Sequence, residues 1–124
     1  MRYMMFIKHT EDYRGKPIPP ALIEAMGEFI GEYTAKGKFI DGAGLKSSHK
    51  GKKVQLRGGK LSVVDGPFTE SKELVGGYAI VELDSDEEAL DMATRFMELH
   101  RVHWPEFEGE SELRPIETGA PGSE

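Results

Sequence analysis

The spacing of apolar positions changes character several times along the chain, and each change marks an element. Residues 3–7, Tyr3-Met4-Met5-Phe6-Ile7, are apolar without a break and flanked by Arg2 and Lys8, which predicts a strand buried on both faces. Residues 10–20 turn polar and carry Pro17, Pro19 and Pro20, so they read as a loop that delivers the chain to a helix. Over residues 21–36, Leu22, Met26, Phe29 and Tyr33 recur at steps of four, three and four, while Glu24, Glu28 and Glu32 fall elsewhere on the cylinder. That is an amphipathic helix, with Gly37 as its natural stop. Residues 39–45 are glycine-rich with apolar interruptions and predict an irregular strand.

The second half continues in the same way. Val54-Gln55-Leu56-Arg57 and Lys60-Leu61-Ser62-Val63 alternate about Gly58-Gly59, which is the pattern of a β-hairpin. Residues 78–83 predict a strand with Ala79, Val81 and Leu83 on one face and Tyr78, Ile80 and Glu82 on the other. Ser85 followed by Glu88 forms a capping box, and Asp86 and Glu87 suit a helix N-terminus. The helix after it presents Ala89, Ala93, Phe96 and either Met97 or His100 on one face and ends before Trp104-Pro105. Residues 110–116 predict a last strand, and residues 119–124 a flexible tail, leaving one domain over residues 1–118.

The order is strand, helix, strand-rich middle, strand, helix, strand. This is the α+β, ferredoxin-like βαββαβ pattern with an elaborated middle hairpin. Two helices cover one face of such a sheet, and the strands are too apolar for the other face to meet water. The expectation is a homodimer whose sheets pack face to face around a cavity.

Composition narrows the partners. The chain has 124 residues, of which 38% are hydrophobic and 31% charged, with a formal net charge of −6 and no basic tract. That balance argues against a nucleic-acid partner. The densest positive stretch, residues 46–57, holds five Lys or Arg and is explained by edge lysines that block unwanted strand pairing. The absence of cysteine excludes disulfides and thiolate chemistry and is compatible with the cytoplasm. The apolar start is too short for a signal peptide, and no segment approaches a membrane span. No cofactor is expected.

Residues 64–77, VDGPFTESKELVGG, concentrate the unusual chemistry. An apolar run stops at an acid, turns through Gly66-Pro67, crosses an ionic loop and restarts after Gly76-Gly77. The run Asp65-Gly66-Pro67-Phe68, followed by Glu70, Lys72, Glu73 and Gly76-Gly77, resembles the signature of the DGPF group of YCII-related proteins. Residues 3–7 and Glu112-Leu113-Arg114-Pro115-Ile116 are similar to that family's first and last strands. The resemblance implies a dimeric α/β barrel of ferredoxin-like protomers. It also implies kinship with small enzymes such as muconolactone isomerases, with heme-handling proteins and with monooxygenases. DGPF-group genes often accompany extracytoplasmic-function sigma factors, so a sigma-factor link is a further implied partner.

Individual residues allow a chemical reading with alternatives. Asp65 ends a strand at a Gly-Pro turn, where an acid on a rigid element suits proton transfer; equally, its carboxylate suits backbone N–H groups of the turn. Glu70 and Glu73 follow with Lys72 between them, either sharing a small volume that raises a carboxyl pKa or forming a solvated loop. Phe68 reads as the plug that anchors this loop into the core. His9, just after the first strand, would form an acid–base dyad with Asp65. YCII proteins outside the DGPF group are associated with a His–Asp pair, but their His does not map by motif onto His9. His100 and His103 lie three apart, too few for a metal site without a further ligand, and suit the end of a helix as cations. Arg114 is either a guanidinium at the cavity mouth, suited to a small anionic ligand, or a partner of Glu82 or Glu112. Tyr78, with Tyr3 and Trp104, lines the cavity or fills the core.

Two functions follow. One is a small-molecule enzyme of isomerase, lyase or cofactor-free acid–base type, with Asp65, His9 and Glu70 in catalysis and Lys72, Glu73, Arg114 and Tyr78 holding the ligand. The other is a non-catalytic ligand-binding or regulatory partner of a sigma factor.

Overall fold

The apolar run after Arg2 becomes strand β1 (Arg2–His9), and it finds the two neighbours that such a strand needs. In the computed structural model, which describes residues 1–9, 17–68 and 74–117, the next elements are α1 (Pro20–Ala35), β2 (Phe39–Gly44) and a 3-10 turn at Ser48–Lys50. They are followed by β3 (Lys52–Arg57), β4 (Lys60–Asp65), β5 (Leu74–Glu82), α2 (Asp86–His103) and β6 (Gly109–Pro115). The main sheet has the order β2-β5-β1-β6 and is antiparallel throughout. This is an α+β arrangement compatible with the ferredoxin-like pattern. β3 and β4 form a separate two-stranded sheet inserted between β2 and β5.

Side-chain alternation sorts the sheet into two faces. Tyr3 and Met5 on β1 sit opposite Val81 and Ala79 on β5, and this face is buried beneath both helices. Tyr3, Val81 and Leu83 are almost wholly enclosed, joined by Phe29 and Tyr33 from α1 and by Ala89, Met92 and Ala93 from α2. The two helices meet through the Phe29 and Phe96 rings, 5.6 Å apart. The predicted α1 stripe is the buried one for Leu22, Phe29 and Tyr33, with Met26 half-buried. The opposite face of the sheet carries Met4, Phe6, Tyr78 and Ile80, all half-buried.

The capping at α2 differs in one detail from the expected box. The Ser85 hydroxyl accepts from the Glu88 N–H at 3.1 Å, but the Glu88 carboxylate reaches the Asp84 N–H at 2.9 Å, one residue earlier than expected. It also pairs with Lys38, which leads into β2, so one carboxylate ties the start of α2 to the edge of the sheet. Tyr3 donates to Asp86 beside it, and that bond, reinforced by burial, pushes the phenol pKa up to about 12.

β5 begins at Leu74, four residues before the strand expected from residue 78. Glycines read locally as a break, yet Gly77 pairs with Ile7 on one side and Gly44 on the other. Pairing on both edges overrides weak strand propensity. The segment from residue 64 to 77 therefore joins the separate hairpin to a central strand of the main sheet.

The hairpin turns through Gly58 and Gly59, at φ of 57° and 75°, the left-handed conformations that a tight two-residue turn requires. Its cross-strand pairs Val54–Val63 and Leu56–Leu61 share one face, and these side chains are 66–73% exposed. Among the described residues no helix is long and apolar enough to cross a membrane.

Two outcomes test this packing. Leu83→Ala removes a core side chain that is 1% exposed and is expected to lower unfolding free energy by about 2–5 kcal/mol in urea titration. Lys38 and the Asp84 N–H hold the Glu88 carboxyl below its ordinary 4.5, so its stabilisation is complete above that pH and fades as pH falls through the folded value. Thermal melts of Glu88→Gln should therefore show a shallower loss of Tm between neutral and acidic pH than the wild type.

Candidate functional site

The buried face of the sheet is unevenly filled. At one end Tyr3, Val81 and Leu83 close it; at the other the inward positions hold Gly42, Gly77 and Ala79, which are too small to meet the helices. The space left over is a cavity of about 410 Å³ within the protomer, between the sheet and both helices. Its walls include Ile7 and Met5 from β1, Phe29 and Ile30 from α1, and Met92 and Phe96 from α2. Trp104 and Phe107, with rings 5.3 Å apart, line the end beyond α2. Among the described residues that line it, none is Asp, Glu, Lys or Arg. The size and apolar lining are those of a small-molecule pocket.

Two histidines border this cavity in different ways. His9 is the last residue of β1, beyond a bulge at which the register with β5 shifts between Ile7 and Lys8. Gly76 is the extra residue there, and a Cβ on it would lie 2.5 Å from both Cδ2 and Nε2 of His9. The imidazole thus lies against bare backbone, a close approach that only glycine permits. His100 lies on α2 at 6% exposure, against Phe96 and Phe107 with ring centroids at 5.1 and 4.9 Å. Its Nδ1 is 3.0 Å from the Phe96 carbonyl. A carbonyl only accepts, so Nδ1 carries the proton and Nε2 is left as an acceptor. Burial holds the His100 pKa below the usual value, which favours the neutral ring. The cation expected at the end of this helix is therefore a neutral cavity wall instead.

The Asp65-Gly66-Pro67-Phe68 run acts as a clamp on the turn before β3. The Gly66 N–H donates to the Gly51 carbonyl at 2.9 Å, and the Phe68 N–H to the Ser48 hydroxyl at 3.1 Å. A Cβ at Gly66 would lie 1.7 Å from the Ser48 carbonyl oxygen, so the two backbones touch. The Gly66–Pro67 peptide is cis. Phe68 rests against Gly51 and beneath the Lys53 ammonium, 4.4 Å from its ring centre. It is half-buried in this turn rather than in the main core, as had been expected of it.

The residues singled out from the sequence divide accordingly. His9 lines the cavity, and Tyr78 also borders it although its strand position, paired with Phe6, alternates to the opposite face of the sheet. Asp65 does not: it ends β4 with its side chain 72% exposed, ion-paired to Lys52 at 2.6 Å rather than to backbone N–H groups. Arg114 is 70% exposed and pairs with Glu112 at 3.2 Å, one of the two partners considered for it. Glu112 also takes Lys8 at 2.7 Å, and both cations hold its carboxyl below the ordinary range. Glu70, Lys72 and Glu73 lie outside the described residues, as does the tail from residue 118. Among the described residues no three His, Asp or Glu side chains gather as a metal site would require. Sequence reasoning passed over Ser47, Phe107 and Met92 in the cavity wall. Only Met92 left a signal, one position from the Ala93–Phe96 stripe on the helix.

An antiparallel sheet with two helices on one face and a pocket beneath them defines an α+β domain. The YCII-related domain family model matches residues 1–97, and the chain belongs to that family. A comparison with curated proteins finds no match.

The two glycines should respond differently to a methyl group. Gly66→Ala drives Cβ into fixed backbone and is expected to cost about 1–3 kcal/mol in chemical denaturation, with amide exchange rising over residues 47–53. Gly76→Ala meets only a side chain, which can rotate away. Its Tm should stay near the wild-type value while the His9 ring resonances move, as read by NMR.

Proposed function

We propose that this protein is a small-molecule enzyme of acid–base type, acting on a ligand held in the cavity between its sheet and helices, with His9 moving the proton. The observation that carries this reading is the His9 imidazole, placed against Gly76 at the border of a cavity of about 410 Å³ whose described lining holds no Asp, Glu, Lys or Arg. An imidazole can both accept and donate a proton through its two ring nitrogens, which suits it to acid–base work. Apolar walls exclude water and strengthen its interaction with a bound carbon acid or carbonyl. Asp65, exposed and paired with Lys52, is structural in this reading, and the dyad with His9 is set aside.

The protein acts as a homodimer in the same reading. The half-buried Met4, Phe6, Tyr78 and Ile80 face and the exposed valines and leucines of the hairpin are surfaces for a second copy. The same hairpin face supports the second reading, a regulatory partner that binds a protein such as a sigma factor without catalysis.

A carbon-acid probe separates the two functions. In D2O, wild-type protein is expected to speed exchange of the α-hydrogens of 1-tetralone at least about ten-fold over buffer, and folded His9→Gln to lose that rate. Equal rates in both proteins would remove His9 as the proton carrier and leave the binding reading in place.

A further inference from the structure

The cavity has a neighbour whose lining includes lysines. A second pocket of about 410 Å³ adjoins it and shares His9, Leu45, Ser47 and Gly76 with it. To the shared residues the second adds Phe68, Leu74 and Val75, and also Lys46, Lys50, Ser48 and Gly51. Lysines thus enter the second lining and are absent from the described lining of the first, with His9 among the four residues that both share.

The two lysines are not explained by protection of a sheet edge. β3 begins at Lys52, so Lys46 and Lys50 precede the hairpin and have no edge to guard. The other nearby cations are engaged, Lys52 with Asp65 and Lys53 over Phe68. Among the described residues, neither Lys46 nor Lys50 is paired with a carboxylate. In a chain of net charge −6, two such ammonium groups beside one pocket form a local positive field against the general trend. The turn that carries them is held in place by the Gly66 and Phe68 contacts with Ser48 and Gly51, so the second pocket has a built wall.

We infer that the ligand is amphipathic, with an aromatic or aliphatic ring body in the cavity beneath the helices and one anionic group, a carboxylate or its equivalent, beside Lys46 and Lys50. The inference rests on the cavity being the ligand site and names the chemical class that the site takes. With the body in one pocket and the anion in the other, the atoms joining them pass His9. The carbon next to the acid group is thereby the position presented to the imidazole. Lys46 and Lys50 take the anion-holding role that the sequence had suggested for Lys72 and Arg114.

A matched pair of probes tests this. 1-Naphthylacetate and 1-naphthylacetamide share a ring body and differ in charge. Trp104 is the single tryptophan and lines the cavity, so its indole N–H resonance reports occupancy by NMR at pH 7.5 and low salt. The acetate is expected to bind about five-fold or more tightly than the amide. In Lys46→Met/Lys50→Met the ratio should fall to about one, with amide affinity unchanged. Amide binding as tight as the acetate, or a ratio unaltered in the double variant, would overturn the anionic subsite while leaving the cavity as a ligand site. If neither probe moves the Trp104 resonance, the cavity reading and this inference fall together.

Discussion

Strand β1 is hydrogen-bonded along both edges, to β5 and to β6, and this double pairing sets the position of everything inside the protein. It fixes which side chains face the helices, because alternation along a paired strand leaves no freedom to slip. Tyr3 and Met5 are carried into a filled core, and the same line then continues to Ile7 and His9 at the cavity. One strand thus runs from the most tightly packed end of the molecule to its emptiest. The transition comes from the facing strands: Val81 gives way to Ala79 and Gly77 on β5, and β2 contributes Gly42. Helices of fixed diameter cannot follow a sheet whose side chains shrink, and the gap becomes a pocket.

Two backbone approaches shape the surroundings of that pocket, one at its border and one at the turn beyond it. At Gly76 the sheet yields a bulge that gives the His9 ring a flat surface to lie on. At Gly66 the chain touches the Ser48 carbonyl and, with Phe68, holds the basic turn in place. The Asp65-Gly66-Pro67-Phe68 run is therefore a clamp on the turn that borders the second pocket. Its acid, Asp65, points to Lys52 and closes the base of the hairpin. Asp65 is thus placed away from the cavity, while His9, the partner suggested for it, borders the cavity.

Charge is distributed to match. The cavity walls carry no formal charge among the described residues, and the carboxylates that hold the frame are satisfied by cations at the surface. Glu82 takes the N-terminus and Arg2, Glu112 takes Lys8 and Arg114, and Glu88 takes Lys38. Such exposed pairs each contribute little to stability, and their service is to fix the edges of a sheet whose inside is apolar. The basic turn at residues 46–50 stands apart from this scheme, with neither Lys46 nor Lys50 paired with a carboxylate among the described residues.

Much of this was written in the sequence. The stripe of Leu22, Phe29 and Tyr33, the Ser85 cap, the glycine hairpin turn and the inward Ala79, Val81 and Leu83 are local patterns, and local physics suffices to decide them. Phe68 and the start of β5 went astray because each depends on what a distant segment supplies: Gly51 for the one, pairing on both edges for the other. The same holds for the candidate site. His9 and Tyr78 were legible as candidates, but the burial of His100, the outward pairing of Asp65 and the placing of Lys46 beside His9 were not. The sequence by itself determined the elements, their inward faces and the family, since periodicity and turn chemistry are properties of neighbouring residues. Only the tertiary structure decided where the cavity lies and which groups border it, because a void is defined by what the two helices and the far ends of three strands leave unfilled.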